Sequence, residues 1–600
     1  LWAVDRLRQH SVTSWLIAAA AVAAVILSHN LLALASFALL LAWIGWQCAV
    51  GDEGRDLCVL RLGALGAGVA LSAFFWLPVA LEQDAVNLST LIGPGGHFDY
   101  RNHFLSLTHL LTPPARLDWG ASEPAFPLTL GVAQWLLALV GIALLLARRT
   151  RQRRHLSFFA VAAIAVLLMM LPVSTPLWEA IPLLAYFQFP WRLLGPIAPL
   201  LAVLAGAGAD AMASAWRAAG ARFLPAALVV LIVVAAFPLL QVPPWPGVPW
   251  DTTAAGVLAE ELRGRWLGTT STADFLPATV DIIPRPTEQV LAGIRAGKPP
   301  DRVNRFTLPA GTTVRNEALS PLHTRYHISS TEPFPLRLYQ FTFPGWVARV
   351  DGVAVATEVG RPEGFLVVPL PSGTYRVDVA LEATPAQRLA WAVSGVSLLF
   401  IGVVAAIIHR RRRAAPPVAA PSPQEVVTNR TVLLVVLAAA LLYALLAASA
   451  VLHIESTGYR AIPAEHDLFA SLSGEIALIG YDAPERVTRG TAIPVTLYWK
   501  AQQEVDENYQ VFVHLVDGDG ALVAQSDKLN PGDFPTRRWP LEKYVRDQHR
   551  LALPPDLAPG DYLLSAGLWL QSEQSRLPVL DGEGQVSGDV VPLGTVTVSE

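Results

Sequence analysis

The sequence predicts a polytopic α-helical membrane protein carrying two outer β-sandwich domains, and three observations support that prediction. Hydrophobic residues make up 53% of the 600-residue chain and charged residues only 15%, against roughly 25% charged in soluble domains. The apolar excess is uneven, concentrated before residue 240 and in two later blocks. Short arginine runs stand beside those blocks, whereas the long polar stretches read as alternating strands separated by turns.

A helix needs roughly 20 mostly apolar residues to cross a ~30 Å hydrocarbon core. Segments 12–28, 30–46, 57–81, 126–147, 156–172, 190–211, 222–240, 386–408 and 430–453 approach that requirement, giving about nine spans. Several are near the lower limit, so the first pair also reads as a shallow hairpin. Arginines orient the set, because cytoplasmic loops collect positive charge. Arg6 and Arg8, the run Arg148, Arg149, Arg151, Arg153 and Arg154, the pair Arg217 and Arg222, and the run Arg410–Arg413 all fall on one side if nine spans are counted. That side is expected to be cytoplasmic in the plasma membrane. Loops 82–125, 173–189, 241–385 and 454–600 are then outside. The net charge is −4 and the basic residues flank apolar blocks, a pattern for membrane orientation and not for nucleic-acid binding.

Four regions follow. Residues 1–240 form a transmembrane helical domain and 241–385 an outer domain. Residues 386–453 hold two further spans joined by the Pro/Ala-rich inner linker AAPPVAAPSPQEVVT, and 454–600 form a second outer domain. Within 241–385, AAGVLAEELRGRW reads as a helix, and HTRYHISS, LRLYQFTF, WVARVDG, GFLVVPL and TYRVDVAL as strands. Beyond 466 the strands are EIALIGYDA, AIPVTLYWKA, YQVFVHLVD, DYLLSAGLWL and VVPLGTVTV, with the spacing of an immunoglobulin-like sandwich. The two cysteines, Cys48 and Cys58, share one short loop region, so no disulfide staples the polar domains. The chain opens with Leu1 in LWAVDRLRQH, which lacks the pattern of a signal peptide and reads as the inside of a longer chain.

No Walker loop, dinucleotide-binding glycine motif, nucleophile elbow or zinc spacing appears, and the cofactor is unknown. Chemistry is therefore sought in the outer loops. Loop 82–125 carries Glu82 and Asp84, then His97, Asp99, Tyr100, Arg101 and His103 among aromatic rings. Rings stack on sugar faces, carboxylates accept from hydroxyls and arginine clamps phosphate oxygens. The competing reading is an interfacial segment whose rings sit at headgroup depth. FQFPWR offers Gln188, Trp191 and Arg192 as interface anchors, or Arg192 as a contact to the phosphate of a lipid carrier. Glu179 precedes it as a structural partner or an acid. Ser28, His29 and Asn30 either cap helices or line the same outer cavity. Trp499, Trp539, Tyr544 and Trp569 either stack on glycans or pack the core.

Several stretches, in order, resemble a family: SHNLLAL, FFWLPVALE, FDYRNHF, FQFPWRLLGP, GTTSTADFLP, FPGWVARVDG and TPAQR, over most of residues 25–390. The chain resembles bacterial membrane proteins labelled 6-pyruvoyl-tetrahydropterin synthase-related, which overlap the YfhO-like relatives of GT-C-type glycosyltransferases. GDFPTRRW, LPPDLAPGDYLL and LPVLDGEG resemble a β-sandwich appended to many bacterial membrane glycosyltransferases. The resemblance implies a GT-C fold that takes sugar from a polyprenyl-phosphate donor and passes it to an envelope glycan or other acceptor outside the membrane. Its usual catalytic acid, in a first outer loop, is expected upstream of Leu1. Asp99, Arg101, His103, Arg192 and His29 are the expected substrate contacts. The pterin-synthase label finds no zinc-binding histidine cluster here. The rival expectation is a non-catalytic scaffold that displays its β domains to envelope glycans or partner proteins. A transporter is weaker, because the helices carry few ionisable residues; Arg61 and Asp210 sit near helix ends.

Overall fold

Every apolar segment is helical where the computed structural model describes it, but serine and proline break two of them at places hydropathy does not mark. The described residues are 2–9, 12–50, 55–88, 98–113, 116–124, 128–147, 153–215, 224–236, 251–262, 276–298, 301–411, 423–446 and 454–600. They cluster into two units, each discontinuous in sequence: residues 1–107, 134–217 and 272–426, and residues 108–133, 218–271 and 427–600.

In the first unit, helices Val12–Ser28, Asn30–Val50 and Arg55–Leu71 pack through small residues around a core of Ala18, Ile44, Leu57, Ala64 and Leu65. A Cβ on Gly68 would stand 2.6 Å from the Ala19 carbonyl oxygen, so only glycine lets those backbones touch. The same device joins Val132–Leu146 to Leu194–Ala215, where a Cβ on Gly141 would meet the Leu204 carbonyl oxygen at 2.2 Å. Arg61, expected near a helix end, lies two turns inside Arg55–Leu71 and is fully buried. Cys48, in the last turn of one helix, is bonded to Cys58, in the first turn of the next, with a Cα–Cα distance of 6.0 Å. Next to them, Arg8 Nη2 donates to Gln47 Oε1 at 3.3 Å, Gln47 Nε2 lies 2.9 Å from His155 Nδ1, and Trp46 Nε1 donates to the Arg154 carbonyl at 3.1 Å. Arg8 and Arg154 therefore share one end of the bundle.

The expected span 57–81 is broken at Ser72. Its hydroxyl donates back to the carbonyls of Gly68 and Val69 at 3.0 and 3.1 Å, which bends helices. The Phe74 N–H meanwhile donates to Ser394 Oγ of helix Pro385–Arg411 at 2.9 Å. Arg55–Leu71 and Ala73–Leu81 are bent by 71°. Near Pro172, which has no N–H to continue a helix, Arg153–Met169 and Pro172–Ala180 are bent by 90°. Among the described residues three helices are long and apolar enough to cross a membrane, Asn30–Val50, Pro190–Met212 and Pro385–Ala406, or up to five if each bent pair is one span. This corrects the expectation of about nine. Val12–Ser28 has 17 residues and Val132–Leu146 has 15; at about 1.5 Å per residue both fall short of a ~30 Å core. The ends of the expected spans 222–240 and 430–453 lie outside the described residues.

The first unit also holds strands β1 Thr313–Ser320, β2 His323–Ser330, β3 Phe334–Phe341, β4 Trp346–Val350, β5 Val353–Val355, β6 Glu358–Gly360, β7 Phe365–Leu370 and β8 Gly373–Leu381. They form sheets ordered β1-β2-β8-β4-β5 and β3-β7-β6 over a shared core that includes Tyr326, Ile328, Leu336, Leu366 and Val377. The β4–β5 hairpin turns on Asp351 and Gly352, both at positive φ, which a two-residue turn between twisted strands requires. Thr384 and Gln387 then cap the next helix reciprocally, each side chain accepting from the other's N–H at 3.1 and 3.2 Å.

In the second unit, strands β9 His466–Leu472, β10 Ile476–Asp482, β11 Arg486–Thr488, β12 Ala492–Ala501, β13 Gln510–Val516, β14 Leu522–Lys528, β15 Tyr544–Ala552, β16 Gly560–Leu570, β17 Ser575–Arg576, β18 Val579–Leu580, β19 Val586–Gly588 and β20 Val591–Ser599 form two sheets. Their orders are β15-β12-β10-β9-β18-β19 and β11-β20-β16-β13-β14, with β17 beside β16. One apolar core drawn from both sheets makes the pair a sandwich. The five expected strands are β10, β12, β13, β16 and β20. Trp499, Trp539 and Tyr544 are buried, which favours core packing over glycan stacking for these three; Trp569 is half-buried.

Candidate functional site

Two short loops of the first unit build a cluster of rings and charges. Asp99 caps the turn Tyr100–His103 by accepting from Arg101 N at 3.1 Å. That turn folds the guanidinium of Arg101 back onto Asp99 Oδ1 at 3.3 Å and across to Glu179 Oε1 at 3.1 Å. The Arg101 guanidinium lies 4.7 Å from the centre of the Tyr100 ring, which is itself stacked on Trp178 at 5.0 Å. The hydrogen bond to Glu179 holds the Arg101 pKa above its already high value, so this cation is permanent.

The second loop reverses direction at Gln188, a non-glycine residue with φ of 60°, a sparsely populated conformation whose cost the surroundings must offset. Two bonds do so: Arg192 Nη1 donates to the Phe187 carbonyl and to Gln188 Oε1, both at 2.9 Å. The turn projects Phe189 between the loops. His103 meets the ring edge-on at 4.6 Å, Phe98 lies 5.9 Å away, Trp191 stacks at 5.1 Å and the Arg192 guanidinium covers it at 4.8 Å.

Four of the five residues expected to contact substrate, Asp99, Arg101, His103 and Arg192, thus belong to one cluster, linked by Phe189, Glu179 and the loop backbone. His29 has a different task. Its Nδ1 accepts from Leu32 N at 3.3 Å while Asn30 Oδ1 accepts from Leu31 N at 2.8 Å, both at the start of helix Asn30–Val50, and Ser28 Oγ donates to the Val25 carbonyl at 2.8 Å in the helix before it. His97 lies outside the described residues. Phe189, the hub, was not singled out from sequence; its position two residues before a Trp-Arg pair was the only local signal.

The charges are unequally matched. Arg101 faces two carboxylates. Arg192 is half-buried and its partners among the described residues are all neutral: a carbonyl, an amide oxygen and a ring face. A guanidinium has five N–H donors, and Nη1 makes both protein bonds, leaving Nε and Nη2 without a hydrogen-bonding acceptor among the described residues.

A second constellation, in the other unit, was missed from sequence altogether. Asp118 is buried with Oδ1 accepting from Gly120 N at 2.9 Å and Ser456 N at 2.8 Å, and Oδ2 from Ser456 Oγ at 2.5 Å and Tyr544 O–H at 3.0 Å. Burial, then the charge of Asp118, pushes the Tyr544 phenol pKa up, so it stays a donor. Around it, residues 117–122 bridge Ile454 and Tyr544. A Cβ on Gly120 would stand 2.2 Å from the Ser456 carbonyl oxygen. With every oxygen lone-pair direction occupied by neutral donors, this site is a strap and has no room for a ligand.

No protein-family model matches the chain, and no curated protein matches it.

Proposed function

We propose that this chain is a multi-pass plasma-membrane protein that binds a lipid-linked phosphate on its outer face through Arg192, as a GT-C-type glycosyltransferase or a degenerate relative. The observation that carries the reading is the Arg192 cation, without a carboxylate partner among the described residues, at the start of an apolar stretch long enough to span a bilayer, Pro190–Met212. Phosphate supplies the missing acceptors in paired geometry, at headgroup depth. Phe98, His103, Phe189 and Trp191 add ring faces and edges for the attached sugar. Within the first unit residues 85–87 bond to 276–278, and within the second 117–119 bond to 454, which supports a shared face for the two loops of each pair.

The cluster's carboxylates support the degenerate or scaffold alternative over an active transferase. A general base needs a free carboxylate, and Asp99 and Glu179 are both engaged by Arg101. Envelope glycans would then be displayed partners and not acceptors.

The test is equilibrium binding of a fluorescent polyprenyl-phosphate to the full chain in nanodiscs. Arg192→Glu should weaken binding by at least tenfold and Arg192→Lys by less; unchanged affinity in the glutamate variant refutes the assignment. Orientation has its own check. The arginine-rich end carries the Cys48–Cys58 pair, and a cytoplasmic position would keep those thiols reduced. Alkylation in intact cells followed by mass measurement reads the state of the pair: two modified thiols support a cytoplasmic end, and retention of the disulfide places that end outside.

A further inference from the structure

β14 and β15 are each an edge strand of one sheet of the C-terminal sandwich, and both turn polar side chains inward. Register settles the direction. Ser526 and Lys528 stand opposite Val513 and Val511, and Asp547 and His549 opposite Leu497 and Val495; those four apolar residues line the core. The polar groups meet across the seam. His549 Nε2 lies 2.8 Å from Asp547 Oδ2 and Nδ1 lies 3.0 Å from Ser526 Oγ. Lys528 Nζ lies 3.2 Å from Asp547 Oδ1. The side chains of Asp547 and His549 are 0% exposed, while Ser526 is half-buried.

Inward charges guard sheet edges against mispairing, and the Lys528–Asp547 pair alone would serve that purpose. The imidazole placed between a carboxylate and a hydroxyl does more. Burial pushes the Asp547 carboxyl pKa up, but hydrogen bonding to His549, the charges of His549 and Lys528 and the Gly532 N–H outweigh it and hold the pKa below its ordinary value. An ionised carboxylate only accepts, so Nε2 carries the imidazole proton and Nδ1 offers its lone pair to the Ser526 hydroxyl. That is the relation of nucleophile, base and orienting acid that defines acyl-transfer triads, here with the two ring nitrogens exchanged.

We propose that Ser526 is a nucleophile that cleaves small acyl esters, with His549 as its general base and Asp547 as a positioning residue. Ser526 Oγ adds to the ester carbonyl carbon as its proton passes to Nδ1. The adduct then collapses, the bond to the alcohol oxygen breaks, and the alcohol leaves with that proton. Water repeats the sequence on the acyl-serine, releasing the carboxylic acid and restoring the hydroxyl. The half-buried position of Ser526 favours a small acyl group such as acetyl.

The test uses the full chain, a fluorophosphonate probe and peptide mass spectrometry. The expected result is an adduct on Ser526. It should be absent in Ser526→Ala, and its rate should fall roughly 100-fold in His549→Gln, within the range for loss of a general base. No adduct on Ser526 in the folded wild-type chain overturns the proposal, as does an equal rate in a His549→Gln variant that keeps the wild-type unfolding midpoint. An edge clamp without chemistry predicts no adduct and a lowered unfolding midpoint in both variants. Hydrolysis of p-nitrophenyl acetate, lost in Ser526→Ala, would establish turnover beyond labelling.

Discussion

Arg192 and Asp118 are both charged groups partly or wholly withdrawn from water and hydrogen-bonded only by neutral groups, yet they are held in opposite ways. Asp118 accepts four hydrogen bonds and sits beneath backbone pairings on either side. Among the described residues Arg192 makes two hydrogen bonds, both from Nη1, and its guanidinium lies over an aromatic ring. The difference teaches that saturation, more than burial, separates a charge that builds a fold from one that awaits a ligand. A saturated ion has exchanged water for fixed donors at little remaining cost; an unsaturated one keeps an incentive to find acceptors.

Substitutions can break that contrast. Asp118→Ala removes the acceptor of four donors and should cost about 3 kcal/mol or more in unfolding free energy, read by denaturant titration of tryptophan fluorescence, with polyprenyl-phosphate affinity unchanged. If affinity falls while stability holds, the assignment of roles is reversed. Arg192→Gln should do the converse, losing about 1.5–3 kcal/mol of binding, as expected for charge-assisted bonds, with a small change in unfolding midpoint. Acid sharpens the comparison further. The Asp547 carboxyl pKa is depressed in the folded state, so the stability it contributes is complete above its unfolded value near 4 and is lost as pH falls through the folded value. The second unit should therefore unfold more readily toward low pH, and Asp547→Asn should flatten that dependence in circular-dichroism melts. Arg101→Gln should have the smallest effect, under about 1 kcal/mol of stability, because a pair with side chains 42% and 51% exposed is solvent-screened. A large loss there would mean the Asp99–Arg101–Glu179 chain holds the loop, and with it the Arg192 site.

The two β modules show why parts of the fold were legible. β10, β12, β13, β16 and β20 announce themselves because each carries apolar residues at core-facing positions. β14 and β15 do not, since Ser526, Lys528, Asp547 and His549 occupy the inward positions where apolar residues mark a strand. The candidate site divides the same way. Asp99, Arg101, His103 and Arg192 stood out as residue types beside aromatics, but nothing local says that Phe189 joins loops some ninety residues apart in sequence. His29 looked like a site residue and is a helix cap, a role that the neighbouring Ser28 and Asn30 already suggested.

What the sequence by itself determined is what short-range physics encodes: apolar helical segments, alternating strands, the Asp351–Gly352 hairpin turn and the Thr384–Gln387 cap. Each follows from the side-chain periodicity or backbone freedom of a few neighbouring residues. Only the tertiary structure decided where helices break, because Ser72 acts together with a serine more than three hundred residues away. It also decided which charges are saturated, because Asp118 meets Ser456 and Tyr544 only after folding, while Arg192 finds no carboxylate among the described residues. Hydropathy sums residues along the chain; pairing depends on distances through space, which no local pattern records.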